Sequence, residues 1–221
     1  MTFFEVVIVL MVILFLAVFF LPGLLYQSRG RGGHARISCL NNLKQLGLAY
    51  KIWSGDNNDR YPMDVSTAGG GTKEWMNTPD AWKTYLQMSN ELSTPKILFC
   101  PEDTSRGTIP TDWNDALKNK LSYFIGLDAS DTNSSPSVIL SGDGNFLLNN
   151  APSDHGFVNA STNASLTWDD TRHLSDSGWF KPRTIYGNIG LCDGSVQACT
   201  SQGLNVYLQQ TGFATNRFFV P

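Results

Sequence analysis

Charge is scarce in this chain. Only 16% of its 221 residues are Asp, Glu, Lys or Arg, and the first 25 hold one acid, Glu5, and no base. A cleavable secretory signal carries basic residues before its apolar core and a small-residue cleavage site after it, and neither is present. The four cysteines show no CxxC spacing and no CxxCH, which argues against zinc ribbons and c-type haem. His34, His155 and His173 are scattered and begin no metal or nucleophile motif, so no catalytic residue, metal or cofactor is assigned. Acid pairs such as Asp128 with Asp131, or Asp169 with Asp170, lack EF-hand spacing and read as solvated loop faces before they read as calcium ligands. No internal repeat is present.

Against this background stands one long apolar run, Phe3 to Leu25. As a helix it is long enough to cross a hydrocarbon core of about 30 Å. Glu5 is its only ionisable side chain. A carboxylate inside a span costs roughly 2.5 kcal/mol or more near the middle and less near an end, where the positive end of the helix dipole also favours it. Position 5 alone therefore fits a simple interfacial anchor. Pro22 and Gly23 in the same run do not follow from that, because proline removes a backbone hydrogen bond and kinks or locally melts a helix.

An apolar start, glutamate at position 5, a single apolar helix and proline at position 22 together resemble a mature type IV pilin or type II secretion pseudopilin. Further stretches look like a bacterial branch of the same pilin-like family: Arg36 to Ala49, Asp56 to Pro62, Phe99-Cys-Pro, Leu121 to Asp128, Ser141-Gly-Asp143, Gly187 to Val196 and the ending Asn216-Arg217. The resemblance implies an α+β fold in which a long N-terminal helix packs on an antiparallel β-sheet head. It also implies that Met1 is the residue exposed by a prepilin peptidase and N-methylated, and that Glu5 meets the amino terminus of a neighbouring subunit.

The expected function is a structural subunit, a major pilin or pilin-like protein, polymerising with itself through its apolar helix into an extracellular helical filament. Its partners would be further copies of itself, the prepilin peptidase and the pilus assembly machinery. An inner-membrane pool would feed a surface filament, with roles such as adhesion or secretion left open. The alternatives are a type II secretion pseudopilin, or a membrane-anchored binding or enzymatic head that never polymerises.

Three regions follow: an apolar helix over 1–27, a joint and amphipathic stem over 28–60, and a globular α+β head over 61–221. Charge divides along the same lines. Residues 23–60 carry six bases against Asp56 and Asp59, while residues 61–221 hold ten bases and sixteen acids. The basic stem suits acidic surfaces of neighbours, and the acidic head is a poor nucleic-acid ligand. Bases just after a span favour a cytoplasmic flank, so an external head requires a basic leader before Met1.

Cys39, Cys100, Cys192 and Cys199 form an even set, which suits disulfides in an oxidising compartment and permits three pairings. The family-like contexts Cys-Leu-Asn-Asn and Phe-Cys-Pro imply Cys39 with Cys100, leaving Cys192 with Cys199 as the second pair. Geometry objects to that second bridge. A tight hairpin at Asp193-Gly194 sets Cys192 opposite Ser195, and Cys199 then lies beyond the roughly 7 Å reach of a disulfide. Two buried thiols are the alternative.

In the stem, Ile37, Leu40, Leu43, Leu46, Tyr50 and Trp53 recur at helical spacing and predict a face packed on a sheet. Pro22, Gly23, Gly30, Gly32 and Gly33 predict an interrupted helix before it, each glycine costing about 1 kcal/mol in a helix. In the head, helices are expected at 78–88 and 201–209, and strands at 96–100, 122–127, 137–140, 188–192 and 195–198. Residues 149–187 read as an exposed polar loop region. Sequons at Asn133, Asn159 and Asn163 permit glycosylation.

Overall fold

The computed structural model describes residues 3–26, 31–103, 105–131, 135–152, 156–169 and 185–221, with the side chains of the first helix described as far as Val18. That helix, α1, runs Phe3–Tyr26, and a second, α2, runs Arg31–Asp56. Four of the five residues expected to break the stem are therefore helical. Pro22 and Gly23 lie inside α1, Gly32 and Gly33 lie inside α2, and Gly30 lies outside the described residues. A glycine or proline costs a helix a few kcal/mol at most, which long flanking helical segments can offset.

The second half of α2 is the spine of the head. Cys39, Leu43, Leu46, Tyr50 and Trp53 repeat at steps of four and three, and all are buried. Leu43, Leu46, Tyr50 and Trp53 were legible from spacing. Ile37 was not part of that face: it is 59% exposed, and Cys39 takes its place because the buried face is rotated toward Cys100. The helix ends where Asn58 and Asp59 adopt left-handed backbone at φ 58° and 55°, a conformation Asn and Asp tolerate better than most residues. The Asn57 side chain donates to the Trp53 carbonyl at 2.8 Å and satisfies part of the terminus.

Short helices α3 (Lys83–Gln87) and α4 (Ser89–Leu92) replace the single helix expected over 78–88. Residues expected to form a strand at 96–100 instead make a 3-10 turn, Pro95–Leu98, because Pro95 sits at its first position and the Thr94 hydroxyl caps Lys96 N–H.

Among the described residues nine strands follow: β1 (Tyr123–Gly126), β2 (Ile139–Asp143), β3 (Phe146–Leu148), β4 (Ala151–Pro152), β5 (Gly156–Ser161), β6 (Leu166–Trp168), β7 (Gly187–Leu191), β8 (Val196–Cys199) and β9 (Thr215–Val220). Helix α5 (Ser201–Gln210) lies between the last two, with the Thr200 side chain capping Gly203 N–H. The main sheet has the order β5-β9-β1-β2-β7-β8, and every adjacent pair is antiparallel. A second sheet has the order β4-β3-β6. The expectation of an exposed loop over 149–187 is thus corrected for 151–152, 156–161 and 166–168, which are strands, while 153–155 and 170–184 lie outside the described residues. Val158 and Ala160 of β5 and Leu166 and Trp168 of β6 are buried, so short alternations such as Phe-Val-Asn-Ala suffice for a strand once β9 pairs with them.

Alternation sorts the main sheet into two cores. Tyr123, Ile125 and Leu127 point to α2, as do Val138, Leu140 and Phe219 from neighbouring strands. Phe124, Ile139, Ile189, Leu191 and Phe218 point to the other side, where Phe146, Trp168, Leu204 and Leu208 cover them. The head is α+β, with an antiparallel sheet between the stem helix on one face and α5 with the small sheet on the other.

Candidate assembly surface

Helix α1 shows apolar side chains to solvent on every side. Among the described side chains of the helix, the exposure of the large apolar residues runs from 37% at Val7 to 87% at Phe3, and Ala17 is half-buried. Such a surface is unlike that of a monomeric soluble protein, where exposed apolar patches are small. Val7, Leu10, Met11, Leu14, Phe15 and Val18 recur at helical spacing and form one apolar stripe along α1. Its chemistry is restricted to packing against another apolar surface, a helix or lipid. Glu5 is exposed in the first turn, where the helix dipole favours its charge. Met1, expected to be processed, lies outside the described residues. Among the described residues no helix is long and apolar enough to cross a membrane. The described side chains from Phe3 to Val18 cover about 24 Å at roughly 1.5 Å per residue, short of a core of about 30 Å.

The stem is fixed to the head by bonds that helical periodicity alone does not reveal. Cys39 of α2 and Cys100, just past the Pro95–Leu98 turn, form a disulfide with Cα atoms 5.0 Å apart. Around it, the Tyr123 hydroxyl donates to the Cys39 carbonyl at 3.4 Å and the Asn42 amide donates to the Phe99 carbonyl at 2.9 Å. Next to Tyr50 in the chain, Lys51 pairs with Asp131, and one turn further on the Ser54 hydroxyl donates to the other Asp131 oxygen at 2.7 Å. Burial raises the Asp131 pKa, but hydrogen bonds from Lys51 and Ser54 and the Lys51 charge outweigh it, and the net shift is downward. Lys51 also lies 5.5 Å from the centre of the Tyr61 ring.

Under this clamp sits a group of buried tyrosines. The Tyr61 hydroxyl donates to the Cys192 carbonyl at 3.2 Å, and the Tyr85 hydroxyl to the Tyr123 carbonyl at 3.2 Å. Burial pushes the pKa values of Tyr50, Tyr61 and Tyr85 upward, so all three stay neutral, and Tyr61 and Tyr85 serve as donors. Asn42, Lys51, Ser54, Asp131 and Tyr61 are the contacts that reading the chain missed. The one signal for them in the sequence is the Asp128-Ala-Ser-Asp131 pair, which reads as a solvated loop face before it reads as a calcium site. Both acids are engaged by the fold itself: Asp128 accepts from Arg217 N–H and from its side-chain Nε, each at 2.7 Å.

The second expected disulfide is absent. Cys192 and Cys199 are both buried thiols. Leu191 N–H bonds to the Ser195 carbonyl, so the hairpin has three loop residues, Cys192 to Gly194, and Gly194 takes φ 85°. Cys199 pairs with Gly187 at the far end of β8. Cys192 then joins the core under α2, while Cys199 joins the core on the opposite face of the sheet. Burial pushes the Cys199 pKa up to about 12, with the Asp143 charge adding to it.

Two of the stretches that carry the family resemblance meet inside the sheet. Asp143 closes Ser141-Gly-Asp, and its Oδ2 accepts from the backbone N–H and side-chain amide of Asn188, at 2.7 and 2.9 Å. Asp143 and Asn188 are fully buried, so this is a tie between β2 and β7 and not an open site. Asn159 is exposed on β5 and Asn163 in the following turn, while Asn133 lies outside the described residues. His155 and His173 also lie outside them, and His34 is described only as helical backbone. Among the described residues no three His, Cys, Asp or Glu side chains gather as metal ligands. Comparison of the chain with protein-family models, curated proteins and solved structures finds no match.

Proposed function

We propose that this chain is a structural subunit of a type IV pilus or a related pseudopilus, which polymerises by burying the apolar helices of many copies in one core. The observation that carries this is the apolar surface of α1, exposed on every side from Phe3 to Val18 beside a head that buries its own hydrophobic residues. Fully burying a large apolar side chain is worth about 1.5 to 3 kcal/mol, so the run offers tens of kcal/mol of gross association energy, offset by the ordering of subunits. Before assembly the same helix, with its continuation to Tyr26, sits in the inner membrane. The head stands outside, where the Cys39–Cys100 disulfide survives. The clamped stem gives the polymer subunits of fixed shape, and Glu5 sets the axial register against a neighbour's amino terminus.

Electron microscopy of the sheared surface fraction, joined to the mass of the amino-terminal peptide, tests this. Filaments containing the chain with an N-methylated first residue are expected. A chain found only as monomers in the membrane fraction, with no filament, would overturn the reading.

A further inference from the structure

A groove of about 330 Å³ opens beside the stem helix, between α2 and the α4 segment, with Gln45, Leu48, Glu91, Ser93, Thr94 and Ile97 among its walls. Three features separate it from an ordinary surface dent. Leu48 is 59% exposed on a helix whose opposite face is fully buried, and Ile37 and Ile52 are 59% and 47% exposed on the same helix. Oε2 of Glu91 is closed off from solvent and has no hydrogen-bond partner among the described residues. A carboxylate oxygen held this way is costly until a donor reaches it. Ser93, which follows α4, takes φ 60°, so this wall is held in a backbone conformation uncommon for serine.

We propose that this groove receives the basic first turns of α2 from a second copy of the chain, with Arg31 or Arg36 as the cation that meets Glu91. This rests on the filament reading above. A helical polymer needs a heterologous contact, two different patches of one chain meeting head to tail. The chain supplies a matched pair: a stem whose bases outnumber its acids by six to two, and a half-apolar groove ending in an acid. Arg36 and Leu48 are twelve positions apart on one helix, so parallel stems in this contact are staggered by roughly 18 Å.

Paired cysteines in the full-length chain test it. With Arg36→Cys and Ser93→Cys together, mild oxidation of intact filaments is expected to give a covalent ladder of trimers and longer species, because each copy offers its groove to one neighbour and its stem to another. Dimers alone would mean a twofold contact, and monomers alone would mean that something other than a second copy fills the groove. Either result, with filaments present, overturns the proposal and leaves the filament reading intact. Absence of filaments from the unmodified chain overturns both. Charge reversal gives an independent measurement. Glu91→Arg should lower filament yield about tenfold or more, and Arg31→Glu or Arg36→Glu in the same chain should restore most of it. Near-UV circular dichroism and an intact Cys39–Cys100 bond establish that the head is folded, and a folded Glu91→Arg chain with normal yield, or with no rescue by either partner, refutes the assignment.

Discussion

Cys39 and Cys100 stand 61 residues apart in sequence and 5.0 Å apart between Cα atoms, and through them the stem helix is bonded to the head. Both are fully buried. Closing a loop of this length restricts the unfolded chain, and loss of such a bridge from a small exported domain costs about 2 to 5 kcal/mol. The Cys39→Ala, Cys100→Ala double variant should show that loss in a denaturant titration, with an unchanged slope. Peptide mapping without reductant should recover the bridge from native material, and two thiols at these positions would refute it.

Cys192 and Cys199 should behave oppositely. Both are buried, and the Cys199 thiol, with its pKa pushed up to about 12 by burial, has almost no thiolate at pH 8. Neither should react with iodoacetamide in the folded chain, and both should react after denaturation. Rapid alkylation of either in the native state would show that the sheet exposes it.

Much of the stem was legible and most of its attachments were not. Leu43, Leu46, Tyr50 and Trp53 follow from a period of three and four, a local property. The Asp-Gly turn announced the β7–β8 hairpin, but its loop holds three residues and not two, which turns Cys192 into the opposite core from Cys199. Strand β9 lies second in the main sheet, yet Thr-Asn-Arg-Phe-Phe-Val carries one run of apolar residues and no clean alternation. Its identity comes from β1 and β5 on either side, partners far away in sequence. The Ser54–Asp131 contact, 77 residues apart, has no local signature at all.

That contact predicts an acid-sensitive stem. The native Asp131 pKa is lowered from its ordinary 3.8, so its stabilising share is fully present above about pH 4 and is lost as pH falls through the native value. Asp131→Asn should remove this portion of the pH dependence and cost about 1 kcal/mol near neutrality, since the Lys51 partner is partly exposed. Thermal unfolding between pH 6 and pH 2.5 measures both. Equal pH slopes for the two chains would show that Asp131 does not hold the stem.

Gly187 offers a packing test. A Cβ added there would lie 2.4 Å from the indole ring of Trp168, which is itself buried. Gly187→Ala should therefore destabilise the head by about 1 to 3 kcal/mol, the usual range for overpacking. Adding Trp168→Leu should lower the penalty of the alanine by making room for it. Additive effects in the double-mutant cycle would contradict the contact.

Glu5 should govern assembly and leave the head unaffected. It lies in the first turn of α1, whose described large side chains are exposed, while among the described residues the two cores of the head draw on none before Cys39. On the filament reading proposed above, a carboxylate in a water-poor core needs an opposite charge at the same depth, and the methylated amino terminus of a neighbour would supply one. Pairing then rewards one axial register over the many that apolar side chains accept almost equally. Glu5→Ala should leave the near-UV spectrum of the head and the amount of membrane-inserted chain unchanged, while surface filaments fall at least about tenfold. The quantity to measure is sheared filament per unit of expressed chain, with processing of Met1 checked by mass. Normal filament yield from the alanine variant would show that apolar packing sets the register without help, and that the carboxylate serves only the end of a helix dipole.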